Sequence, residues 1–137
     1  MRTCARRLEF DAAHRVMRHE SKCHNLHGHR YVVDVTCSAD DLDQLGRVVD
    51  FGVIKSVFGR WVDAHLDHGT IVNHEDGALA DLCRNQGWKL YTMHGNPTAE
   101  NVAEELHSKA SELLSPLGVD VRSVRVYETP NCWADYP

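Results

Sequence analysis

Two stretches of period-two alternation, both bordered by histidines, restrict most strongly what this chain can fold into. In residues 3–14, Cys4, Leu8, Phe10, Ala12 and His14 share one parity, while Thr3, Arg7, Glu9 and Asp11 share the other. In residues 29–37, His29, Tyr31, Val33, Val35 and Cys37 lie on one side. Such alternation describes strands with one buried face. Asp40, Asp41, Asp43 and Gly46 then mark a loop. The period changes after Asp50, which is placed to cap a helix whose face carries Val53, Ile54, Val57, Phe58, Trp61, Val62 and Leu66. A second helix starts near Asn96-Pro97-Thr98, where either Asn96 or Thr98 can cap. It carries Val102, Leu106, Ala110, Leu113, Leu114 and Leu117, and ends at Pro116 and Gly118. Residues 77–86 read as a short helix, 88–93 as a short strand and 119–128 as a returning strand with Val124, Val126 and Glu128 on one face. Two strands, helices and a returning strand define an α+β domain with helices packed on an antiparallel sheet. No repeat or linker divides the 137 residues, so a single domain over 1–137 is expected.

Composition narrows the function classes. Hydrophobic residues at 42% and charged residues at 26% describe a globular chain rather than a disordered one. No apolar run approaches the roughly 20 residues of a membrane helix, and no apolar stretch follows the basic N-terminal residues, which argues against membrane and secreted classes. Five irregularly spaced cysteines fit reduced thiols and a cytoplasmic location. The net charge of −5 is uneven: residues 1–30 hold seven Arg/Lys against three Asp/Glu. The acidic remainder argues against direct nucleic-acid binding. The basic N-terminal stretch can attract a small anion.

Ten histidines are the unusual count, and five of them (His14, His19, His24, His27 and His29) fall within sixteen residues. His27 and His29, one residue apart at the start of a strand, project to the same side. If the first two strands pair antiparallel, His14 converges with them at one end of the sheet. Three neutral imidazoles with an open fourth position form the ligand set of a catalytic zinc. Gly28 between them lets the backbone bend or approach closely, and His19 and His24 are the weaker ligand candidates. Cys23 is either a fourth ligand, which would close the site, or a separate nucleophile or base whose thiolate a nearby cation would favour. His65-Leu66-Asp67-His68 ends the first helix. There an Asp beside a His can fix its tautomer for proton transfer, although on these residues alone a polar helix terminus is the better explanation. Glu128, on an apolar-parity face, needs a partner if buried.

Together these pieces resemble a known family. Phe10-x-Ala12-Ala13-His14, Cys23-x-x-x-His27-Gly28-His29, Val49-Asp50-Phe51 with Lys55, Leu66-Asp67-His68 followed by Asn73, Pro97-Thr98-Ala99-Glu100-Asn101 and Glu128-Thr129 occur in the order of the 6-pyruvoyl-tetrahydropterin synthase family. Three residues between the cysteine and His-Gly-His look most like its 6-carboxy-tetrahydropterin synthase branch, of queuosine and 7-deazapurine biosynthesis. The resemblance implies the tunnelling fold: a four-stranded antiparallel sheet with helices on one face, joined between subunits into an oligomeric barrel. The expected assembly is a homo-oligomer, either a hexamer built as a dimer of trimers or a tetramer, with active sites between subunits. It further implies zinc on His14, His27 and His29, Cys23 as the catalytic cysteine, Asp67 and His68 as its acid-base partners, and Glu128 as the carboxylate that anchors the pterin ring and joins the relay. The implied reaction converts 7,8-dihydroneopterin triphosphate to 6-carboxy-5,6,7,8-tetrahydropterin, acetaldehyde and triphosphate. Arg15 and Lys22 are candidates for holding the triphosphate. A 6-pyruvoyl-forming or folate-route enzyme, or a pterin- or zinc-binding module without catalysis, are the competing expectations. Residues 74–95 and the tail Asn131-Cys132-Trp133 depart from the family pattern.

Overall fold

A computed structural model describes all 137 residues. Strand β1 (Arg2–His14) pairs antiparallel with β2 (His27–Ala39) along its whole length, from Arg2 opposite Ala39 to His14 opposite His27. This register joins the two apolar parities, placing Leu8 across from Val33 and Phe10 across from Tyr31, whose rings stack at 5.0 Å. The opposite face carries ion pairs instead, among them the bidentate Arg7–Asp34 pair and Arg30 with Glu9 and Asp11.

The helical period after Asp50 becomes one continuous helical run. Asp50 accepts a hydrogen bond from the Gly52 N–H at 2.9 Å, and α1 (Phe51–Ile54) passes through a wider π turn (Lys55–Gly59) into α2 (Arg60–His65). Its inward residues Ile54, Phe58, Val62 and Leu66 are buried. Strand β3 (Gly69–Asn73) follows, then α3 (Gly77–Gln86), capped by Asp76 and ended by left-handed Gly87, then β4 (Leu90–Met93). Thr98 caps α4 (Ala99–Leu114), which buries Val102, Leu106, Ala110 and Leu114. Leu117, expected on that stripe, is exposed, because a final 3-10 turn (Ser115–Leu117) rotates it away from the sheet. Strands β5 (Asp120–Thr129) and β6 (Cys132–Tyr136) close the chain.

The sheet has six strands in the order β4-β3-β1-β2-β5-β6. Strands β1, β2, β5 and β6 form the four-stranded antiparallel part that the resemblance implies, whereas the strand read at 88–93 is β4, which with β3 extends the sheet beyond β1 in parallel. Neither β3 nor β6 shows in the sequence pattern. Strand β3 is short and mostly buried, without alternation, and β6 turns only Ala134 inward. A core of 22 buried residues lies between the sheet's apolar face and the helices, and Val72, Leu79, Ala80 and Cys83 form a smaller cluster where α3 meets β3. Residues 74–95 thus supply the expected helix and an edge strand, and the tail supplies the other edge strand.

Candidate active site

The strand pairing carries His14 and His27 to directly opposed positions, and His29 opposite Ala12. The three rings form a near-equilateral triangle with centroids 4.7, 5.1 and 4.9 Å apart. One nitrogen from each lies within 4.8 Å of the others. His14 Nδ1 is 2.7 Å from the Pro97 carbonyl oxygen, and His27 Nδ1 is 2.7 Å from that of Asn25. A carbonyl only accepts, so both Nδ1 atoms carry the proton and both Nε2 lone pairs are free. His14 is 1% exposed and its Nε2 has no partner in the chain, an arrangement that costs free energy unless something binds there. Burial, reinforced by His27 and His29, outweighs the Pro97 hydrogen bond and lowers the His14 pKa to about 4. Burial, then His27, lowers that of His29. Both shifts favour the neutral, ligating imidazole. Converging bare nitrogens with carbonyl-fixed orientations fit a zinc ion. Gly28 has a plainer role than expected: an added Cβ would meet the Ala12 carbonyl oxygen at 3.4 Å, an ordinary contact.

Glu128 reaches this cluster through a β-bulge. Tyr127 pairs with Trp133 and Thr129 with Cys132, leaving Glu128 unopposed on β5, and such an extra residue re-aims its side chain. Glu128 Oε1 lies 3.9 Å from His14 Nε2. Burial first, and then the charge of Glu100, raise its pKa. The buried Tyr31 ring meets His14 and His29 edge-on, and its hydroxyl has no partner in the chain. His14 Nε2 and the Tyr31 hydroxyl are the two buried side-chain polar atoms left unpaired in the whole molecule. Both belong to this cluster.

Cys23 lies on a single 3-10 turn (Lys22–His24) in the loop joining β1 to β2, and its carbonyl accepts from the Val16 N–H at 2.9 Å. The loop is clamped by Asn96, whose side chain exchanges two 3.0 Å hydrogen bonds with the Met17 backbone and accepts another from Asn73. Sequence reasoning treated Asn96 only as a helix cap; clamping across the fold leaves no periodic signal. His19 and His24 stand outside the triad and hydrogen-bond locally to Ser21. Arg15 is engaged by buried Asp76 at 2.5 and 2.7 Å, whereas Lys22 is exposed and makes no ion pair.

His68 has a left-handed backbone with φ of 60°, and this brings its Nδ1 to 2.8 Å from Asp67 Oδ2. Asp67 also accepts from the Asp11 N–H at 3.0 Å, and that bond, more than His68, holds its carboxyl below the ordinary value. His68 borders a cleft of about 490 Å³ that Asp11, Ala13, Gly28 and Arg30 line from the strand parity opposite to His14, together with Lys89 and with His29 of the triad. Each chain therefore unites His14, His27, His29 and Glu128, while His68 borders a cleft that only His29 of the triad also lines.

The strand pair under its helical layer is the fold of a known family. The chain belongs to the 6-pyruvoyl tetrahydropterin synthase family, whose model matches residues 3–137. Among its relatives, the 6-carboxy-5,6,7,8-tetrahydropterin synthase of Rickettsia conorii is 42% identical over 134 residues, covering 96% of this chain and 97% of the relative. That of Haemophilus influenzae is 30% identical, covering 96% of each. An uncharacterized Wolinella succinogenes protein superposes with a TM-score of 0.86 at 25% identity, over 98% of this chain and 97% of that one. The 6-pyruvoyl tetrahydropterin synthase of Caenorhabditis elegans superposes at 0.71, also at 25% identity, over 98% and 93%.

Proposed function

We propose that this chain is a zinc-dependent 6-carboxy-5,6,7,8-tetrahydropterin synthase, a carbon–carbon lyase acting on 7,8-dihydroneopterin triphosphate in the cytoplasm and supplying 7-deazapurine synthesis such as that of queuosine. The observation that carries this reading is the convergence of His14, His27 and His29 with one buried, unpartnered Nε2. It is supported by the relatives' names and by the three-residue spacing from Cys23.

His14, His27 and His29 would hold the ion, which would supply Lewis acidity toward hydroxyls on the substrate side chain. The remaining roles fall to the protein. Glu128 has no hydrogen-bond partner in the chain and accepts two hydrogen bonds from the pterin's amino and ring N–H groups. Those donors compensate the burial that opposes its charge. Cys23, as thiolate, removes the proton beside the ring. His68 donates and accepts protons during triphosphate loss and carbon–carbon cleavage, with Asp67 fixing its tautomer through the 2.8 Å bond to Nδ1. Lys22, free of ion pairs, is the better candidate for the triphosphate, since Arg15 is already neutralised by Asp76. Because His14 and His27 do not line the cleft beside His68, the Asp67–His68 dyad serves the triad of a neighbouring copy in a homo-oligomer.

Incubating the zinc-loaded protein with 7,8-dihydroneopterin triphosphate and identifying products by mass tests the assignment. 6-Carboxytetrahydropterin with acetaldehyde is the expected outcome. A 6-pyruvoyl product would overturn the branch and keep the site; no turnover by folded, zinc-loaded protein would overturn the reaction.

A further inference from the structure

Outside the triad the chain carries a second pair of facing imidazoles. Strands β3 and β4 run parallel, Thr70 opposite Leu90 through Asn73 opposite Met93. The His74 N–H donates to the Met93 carbonyl at 2.9 Å, so the register continues one step and sets His74 beside His94. Their ring centroids are 4.9 Å apart at an interplanar angle of 59°. That is the spacing found within the triad, 4.7 to 5.1 Å. Both residues are exposed, and neither ring makes a hydrogen bond or ion pair with the chain. The adjacent carboxylate, Glu75, is turned to Arg18 at 3.4 Å. Two open imidazoles already aligned by hydrogen-bonded backbone give up little freedom on chelation.

We propose that His74 and His94 form a second, bidentate site for a divalent transition-metal ion, with water completing the coordination. The site is independent of the reaction assigned above. Imidazole nitrogen suits Zn²⁺, Ni²⁺ and Cu²⁺, and the general order of affinity favours Cu²⁺. Its position indicates what binding does. The two histidines stand at the ends of the excursion through α3 and β4, so a shared ion closes that loop at its base. It also fastens β4, an edge strand paired only with β3, to the rest of the sheet.

Tag-free protein stripped by a chelator and titrated with Zn²⁺, and separately with Cu²⁺, provides the test. By native mass spectrometry the His74→Asn/His94→Asn double variant should bind one equivalent per chain fewer than wild type, with its circular dichroism unchanged. Saturation with the ion should raise the thermal midpoint of wild type further than that of the variant, which keeps only the triad. Equal uptake by the two proteins overturns the proposal whatever happens at the triad. So does a His14→Ala protein that binds no ion at all while remaining folded.

Discussion

Cys23 and the three histidines make separable demands on the loop and strands that carry them, and single substitutions can tell those demands apart. Cys23 lies outside the group of converging nitrogens. Cys23→Ala should therefore abolish turnover, by a hundredfold or more on the order of a lost acid-base group, while the zinc content stays that of wild type. Zinc loss in that variant would make the thiol a ligand and the centre closed. Tyr31 poses the opposite case, a buried hydroxyl with nothing in the chain to bond. In metal- and substrate-free protein, Tyr31→Phe should raise stability by about 1 kcal/mol; a comparable loss in urea denaturation would show that the hydroxyl is bonded. The triad was readable in the sequence because parity puts His14 with Phe10, and His27 with His29, before any coordinates exist. Glu128 was readable only as a residue on an apolar face. Its approach to His14 depends on a bulge created by pairing with β6, a strand that leaves almost no hydrophobic trace.

At the scale of elements, the Arg15–Asp76 pair joins the end of β1 to the start of α3. Asp76 is almost wholly buried, and Arg15 first of all depresses its pKa. A carboxyl depressed in the folded state contributes stability that is complete above its ordinary value of 3.8 and lost as the pH falls through the lower folded value. Asp76→Asn keeps a capping side chain but removes the charge. It should cost about 2 kcal/mol at neutral pH, less than a fully buried pair because Arg15 is partly open to water. The gap from wild type in urea midpoints should narrow only in strong acid; a constant gap down to pH 2 would remove the ion pair as its cause. The same segment shows where periodicity stops informing. Helix α3 was legible from residues 77–86, yet Asp76 and Asn96 act across the fold, by pairing with a loop far away in sequence. No local period encodes such contacts.

For the whole molecule, the proposed sharing of one site between the triad of one copy and the dyad of another makes assembly part of the chemistry. Neither Cys23→Ala nor His68→Ala should turn over alone. Unfolded together and reassembled, they should regain activity, since about a quarter of randomly mixed shared sites would hold both intact groups. A mixture as silent as its parts would place the dyad and the cysteine of one site on the same chain. The left-handed backbone at His68 has a longer reach. That conformation suits glycine and costs a residue carrying a Cβ roughly 1 kcal/mol. A duplicated descendant freed from the proposed reaction would gain stability by drifting to glycine, so the letter found at this position in any lineage would record whether its ancestors went on using the site.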